Sequence, residues 1–203
     1  MNITVRNATK EDLPEITKVH MECFPDYFST KLGSNLLCKY YGMYLEERPE
    51  LFFVACDEDT GNIIGLANGY VFEKDIQNEF IKKNFLSMCF RIMWLLVILD
   101  KMAWKRVKGR IIKEKPEDGA LPGKPGTGDL LSICVLDDYK GCGAAKQLVE
   151  NVEQGFLSIG IDEYVLTVFT DNKRARAFYE KCGFNIYYET KKEVKYIKKI
   201  IEG

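Results

Sequence analysis

A chain of 203 residues is long enough for one α/β domain with an insertion, and it can bury a sizeable core without a metal or disulfide staple. Its 46% hydrophobic and 29% charged content exclude disordered and fibrous classes, and a formal charge of −1 excludes whole-chain attraction to nucleic acid or anionic lipid. The seven cysteines are odd in number and lack a Cys-x-x-Cys pair, which fits reduced, mostly buried thiols in a cytoplasmic protein better than a disulfide framework or a metal site.

Residues 3–6 alternate like a strand and lack the apolar run and small-residue cleavage site of a signal peptide, so secretion is not expected. Thr9, with Glu11 and Asp12 behind it, caps a helix predicted to run to Cys23, and Pro14 sits early enough to be tolerated. After Pro25, Leu32, Leu36, Leu37, Tyr40, Tyr41 and Tyr44 recur at helical spacing and predict a second helix over 27–45, weakened near its start by Gly33. Apolar runs at 51–56 and 63–71 flank a turn rich in Asp and Gly, the pattern of a β-hairpin.

From 74 to 108 the pattern becomes helical. Its most apolar stretch, of about 15 residues, contains Arg91 and falls short of the roughly 20 needed to span a bilayer. Pro116, Gly119, Pro122, Gly123, Pro125 and Gly126 then crowd into a loop. Strands over 129–135, 164–170, 184–189 and 194–200, with helices over 143–157 and 172–182, complete the chain. This order predicts an α/β fold, a mixed central sheet with helices on both faces, in one domain over 1–203 with a helical insertion at about 74–128.

The chemistry concentrates where the strand at 129–135 turns into a helix. There Lys140-Gly141-Cys142-Gly143-Ala144-Ala145-Lys146 lets the backbone approach a ligand closely, and the helix start offers unpaired N–H groups and the positive end of its dipole. A pyrophosphate suits that turn, with Lys140 adding charge. The third glycine of a dinucleotide fingerprint and the Gly-Lys-Ser/Thr of a nucleotide triphosphatase loop are both missing.

The segment resembles the CoA-binding motif of the GNAT acetyltransferases: Arg or Gln, two residues, Gly, one residue, then Gly or Ala. Lys140, Gly143 and Ala145 fill those places, the lysine keeping the charge while losing the guanidinium fork. A second stretch, with Asn172, Ala175 and Phe178-Tyr179-Glu180-Lys181-Cys182-Gly183-Phe184, is similar to the family's other motif at the expected distance. The likeness covers 1–72 and 129–200. It extends to a subgroup with Cys23-Phe24-Pro25, Leu32-Gly33 and a helical insertion before the CoA strand, a subgroup linked loosely to sugar metabolism.

The resemblance implies an acetyl-CoA-dependent N-acetyltransferase acting by direct attack of an amine on the thioester, without a metal. It implies that residues 140–146 hold the pyrophosphate and that Ile133, Cys134 and Val135 line the cofactor, with the Val135 N–H as oxyanion donor. Asn172 would contact the pantetheine arm, and Tyr179 would protonate the leaving thiolate. Asp129 or Glu73 could reach the pocket as a base, but each reads more simply as a solvated carboxylate, and a water chain would serve. His20, the sole histidine, reads as a structural helical residue, and Cys142 as a place that needs a small side chain.

Phe24, Tyr27 and Phe28 would either wall an acceptor pocket or pack between two helices. The acceptor is expected to be a small primary amine, with an amino sugar as one form. Nucleic acid and membrane are not expected partners, and a homodimer is allowed. Two rival readings remain: a silent acyl-CoA-binding module, and a protein that works through a basic amphipathic face at 85–108 on a membrane or partner.

Overall fold

The computed structural model describes residues 2–72, 75–98, 100, 104 and 127–200. Glu73 and the Pro/Gly-rich stretch at 116–126 lie outside the described residues. A 3-10 turn at Lys10–Asp12, held by a capping box between Thr9 and Asp12, launches α1 (Leu13–Cys23). The second predicted helix is in fact two, α2 (Phe28–Lys31) and α3 (Ser34–Glu47). They part at Gly33, whose φ of 94° is outside the helical range and open to glycine without strain. The described part of the insertion forms α4 (Ile76–Lys83) and α5 (Phe85–Val97). Beyond the insertion come α6 (Ala144–Ser158) and α7 (Lys173–Lys181).

The strands are β1 (Ile3–Asn7), β2 (Phe52–Asp57), β3 (Ile63–Val71), β4 (Gly128–Val135), β5 (Glu163–Phe169), β6 (Asn185–Glu189) and β7 (Glu193–Lys199). They form one mixed sheet in the order β1-β2-β3-β4-β5-β7-β6. All neighbouring pairs are antiparallel except β4 and β5, whose parallel pairing is confined to Gly128 with Tyr164 and Asp129 with Val165. Past those two rungs the strands separate. A register shift opposite Asn68 and Gly69 leaves Leu131 as an extra residue in β4, a bulge that bends the strand where it parts from β5.

Apolar spacing assigns each helix to a face. Ile16 and Val19 of α1 and Leu37, Tyr41 and Leu45 of α3 pack over Phe52, Val54 and Leu66 on one side of the sheet. On the other side Leu148, Val149, Val152 and Phe156 of α6 cover Phe53, Ala67 and Leu130. The closed end of the β4–β5 pair is fastened from α6: Phe156 meets the Tyr164 ring at 5.1 Å, and Tyr164 donates a 2.5 Å hydrogen bond to Glu153. Lys198 of β7 lies 2.5 Å from the same carboxylate, so this buried charge is both paired and hydrogen-bonded.

Gly155 of α6 lies against the 3-10 turn at Pro49–Leu51, where an added Cβ would collide with the Glu50 carbonyl and approach Leu51 to 3.2 Å. Alanine would gain up to about 1 kcal/mol of helix propensity, but the collision is with backbone, which yields less readily than a side chain. Gly155→Ala is therefore expected to lower stability by about 1–3 kcal/mol in chemical denaturation, the reverse of the propensity order.

Candidate functional site

The parting of β4 from β5 opens a wedge, and two cavities meet in it. One, of about 490 Å³, is lined by the turn after β4, the start of α6 and α7. The other, of about 530 Å³, lies between α2, α3, the insertion helices and the far ends of β4 and β5. Phe24, Ile133, Asn172, Ala175 and Tyr179 border both. A ligand in one can therefore touch a ligand in the other only at this junction.

In the first cavity the glycines predicted from sequence have the required backbone. Gly141 and Gly143 stand at φ 91° and 92°, and nothing lies within 4 Å of where a Cβ would project at either. No backbone carbonyl among the described residues accepts the N–H groups of Gly141, Gly143, Ala144 or Ala145. These donors open a 15-residue helix at its positive end, an arrangement suited to an anion. Lys140, Ala144, Ala145 and Lys146 line the cavity. Cys142 does not; its side chain packs on the core beneath α6.

Lys140 is ion-paired with Asp137, which holds that carboxyl below its usual range, and Lys146 lies 3.4 Å from Glu150. Arg174, in the first turn of α7, also lines the cavity and adds its charge from the facing side. Sequence reading missed Arg174. The signal was present in its place two residues after Asn172, but only the fold swings that turn opposite Lys140.

The β4 backbone supplies further donors. Leu136 donates its N–H to Ile64 at 2.8 Å, so the alternation of an antiparallel ladder turns the amides of Ile133 and Val135 away from β3 and toward the wedge. There β5 offers them no rung. Asn172 caps α7, its side-chain oxygen accepting from Ala175 N–H at 3.1 Å, which leaves its amide NH₂ free to turn to the wedge. Tyr179 stands on α7 at the junction, 8% exposed, and burial pushes its hydroxyl well above the ordinary tyrosine range, so it keeps its proton.

The second cavity has mostly apolar walls. Phe24, Tyr27 and Phe28 all line it, joined by Leu36 and Tyr40 of α3 and Phe80 of α4. His20 lies on its floor, with Nδ1 2.6 Å from the Tyr41 hydroxyl and Nε2 3.1 Å from Ser29 Oγ. Burial depresses its pKa to about 4, so it is neutral near pH 7. Asp129 lines neither cavity; it is half-buried near Tyr40, and burial pushes its carboxyl up to about 6 against the opposing pull of Lys195. Gln77 and Glu193, which carry no motif, also reach this cavity.

The sequence matches the model of the acetyltransferase (GNAT) family over residues 13–184, and the chain belongs to that family. It is accordingly an acyltransferase with acetyl-CoA as its acyl donor. Solved structures with a similar fold include the Pyrococcus horikoshii protein PH1933, at 17% identity over 99% of this chain and 100% of that one, with a TM-score of 0.63. The paia N-acetyltransferase of Thermoplasma acidophilum, solved in complex with coenzyme A, matches at 17% identity over 98% and 99%, with a TM-score of 0.62. Arabidopsis thaliana Naa50, in complex with a bisubstrate analogue, matches at 18% over 98% and 100%, with a TM-score of 0.58. No curated protein sequence matches the chain.

Three outcomes follow from the charges. Asp137→Asn, which removes the negative charge lining the first cavity, should tighten acetyl-CoA binding several-fold at low salt, and Arg174→Ala should weaken it about three- to tenfold; calorimetric titration reads both. Asp129 has a folded pKa raised from 3.8 to about 6, so the stability it lends is present below pH 3.8 and lost as pH rises through 6. Asp129→Asn should therefore raise the melting temperature at pH 8 and leave it unchanged at pH 3.5.

Proposed function

We propose that the chain is a single-domain N-acetyltransferase that moves an acetyl group from acetyl-CoA to a primary amine, in a ternary complex at the junction of the two cavities. The observation that carries this reading is the overlap of an anion-ready cavity with a second cavity of mixed aromatic and polar lining at Tyr179 and the free β4 amides. The pyrophosphate sits on the amides of Gly141, Gly143, Ala144 and Ala145, beside Lys140, Lys146 and Arg174. Pantetheine runs along Ile133, Cys134 and Val135, with Asn172 donating from the facing side.

The neutral amine attacks the thioester carbonyl carbon, and the Val135 N–H receives the developing oxyanion. As the tetrahedral intermediate collapses, the C–S bond breaks and Tyr179 gives its proton to the leaving thiolate. The ammonium proton passes to water in the open acceptor cavity, and Tyr179 regains a proton from solvent. Burial keeps the Tyr179 hydroxyl protonated at rest, the form in which a general acid must start.

For the acceptor, the walls weigh against a polar sugar ring as the main contact surface. Phe28, Leu36, Phe80 and Met88 favour an amine carried on an apolar body, with Ser29, Gln77 or Glu193 available to its polar atoms. The amino sugar suggested by the subgroup likeness is the second reading, and a peptide amine is a third, since the Arabidopsis relative was solved with the bisubstrate analogue CoA-Ac-MVNAL. The cytoplasmic location expected from the cysteines belongs to the same proposal.

Thiol release from acetyl-CoA, screened with aromatic and aliphatic amines beside amino sugars, tests the reading. Tyr179→Phe should lower kcat by roughly 10²- to 10⁴-fold while acetyl-CoA affinity stays within about twofold of wild type. Tight acetyl-CoA binding with no turnover of any amine class would instead support a silent CoA-binding module.

A further inference from the structure

Helix α5 is fixed on the domain by one side. Leu95 is buried, Met88 reaches the acceptor cavity, and Arg91 Nε donates a 2.9 Å hydrogen bond to the Lys31 carbonyl. With that side committed, Phe85, Leu86, Phe90, Met93, Trp94, Val97 and Ile98 fall on the outward side, between 54% and 72% exposed. Their spacing makes one continuous stripe along the helix. Of the other large apolar residues exposed among the described ones, Trp104 follows α5 and donates its indole N–H to the Leu96 carbonyl at 3.2 Å, while the rest are dispersed: Tyr27 and Phe169 border the acceptor cavity, and Ile186 and Tyr187 sit on β6. Scattered exposed apolar residues are ordinary, but a contiguous stripe of this size marks a contact surface.

The surrounding charge selects the partner. Lys82 and Lys83, both exposed, end α4 immediately before the stripe. Lys83 lies 3.8 Å from Glu79 in an exposed pair one helical turn apart, and no described acid flanks Lys82 more closely than that. A second copy docked through the same stripe would bring like basic edges together. An anionic lipid surface complements both features: it accepts the apolar stripe at the acyl boundary, offers negative headgroups to the lysines, and favours Trp94 and the phenylalanines at that depth. No helix among the described residues is long and apolar enough to cross a membrane, so α5 would lie in the plane of the interface.

We infer that the outward face of α5 docks the protein on an anionic membrane surface, with Lys82 and Lys83 on the headgroups and Phe85, Phe90 and Trp94 in the acyl boundary. Sequence reading did not expect membrane contact but kept a basic amphipathic face at 85–108, on a membrane or a partner, as a rival; the uncovered side of α5 is what favours that rival here.

Flotation of the full chain with vesicles tests the inference, and a parallel acetyl-CoA titration checks the fold of each variant and reports independently on the donor site. Wild type should float with vesicles of equal parts phosphatidylglycerol and phosphatidylcholine, and far less with phosphatidylcholine alone. Phe90→Glu combined with Trp94→Glu should abolish flotation with acetyl-CoA affinity unchanged. Lys82→Glu combined with Lys83→Glu should weaken it by about tenfold or more at low ionic strength. Failure of well-folded wild type to bind either vesicle would overturn the inference, as would binding that ignores the Phe90 and Trp94 changes. Equal binding to both vesicle types would remove the anionic preference. A stable dimer in sedimentation equilibrium that dissociates in the Phe90/Trp94 variant, without vesicle binding, would assign the face to a second copy.

Discussion

The organisation of this protein rests on an interrupted ladder. Two parallel strands that pair at Gly128 with Tyr164 and at Asp129 with Val165 and then part leave backbone donors unpaired in the middle of a sheet. Such groups are costly if buried without a partner, so the wedge is a place where a ligand's acceptors stabilise what the fold leaves open. The surrounding features keep it open. Leu131 bulges β4 at the parting, Phe156 and Tyr164 hold the closed end together, and α7 crosses the open side carrying Asn172 and Tyr179.

Much of this was legible because its signals are local. Glycine at 141 and 143 before small Ala144 and Ala145 declares a turn that feeds a helix, and the left-handed backbone there follows from residue type alone. The hairpin of β2 and β3 was equally plain from two apolar runs around a turn rich in Asp and Gly, and β5 from its β-branched and aromatic content. Tyr179 was found through a motif rather than through physics, because an aromatic on a helix carries no sign of whether it faces core or ligand. In the structure its ring packs 5.6 Å from Phe184 and its side chain borders the two cavities.

What escaped the sequence was long-range or conditional. The split at Gly33 was underweighted because Leu32, Leu36 and Leu37 keep helical spacing across a residue whose φ forbids the helix. Arg174, Gln77 and Glu193 meet their cavities only after strands distant in sequence have paired. The apolar stripe of α5 was visible as composition, but periodicity cannot say which side of a helix finds a partner. Here Leu95 and Arg91 settle the side that packs.

The chain has a single histidine, and the fold puts it on the floor of the second cavity, neutral, with both ring nitrogens engaged by Tyr41 and Ser29. It borders that cavity and not the other. Nuclear magnetic resonance of this one imidazole thus needs no assignment: its ring lines form a spectrum by themselves. A small molecule that enters the acceptor side would perturb them through Ser29 or the Phe24 ring, whereas one confined to the phosphate turn would leave them nearly unchanged. The protein thus carries its own spectroscopic label for sorting ligands by the cavity they occupy.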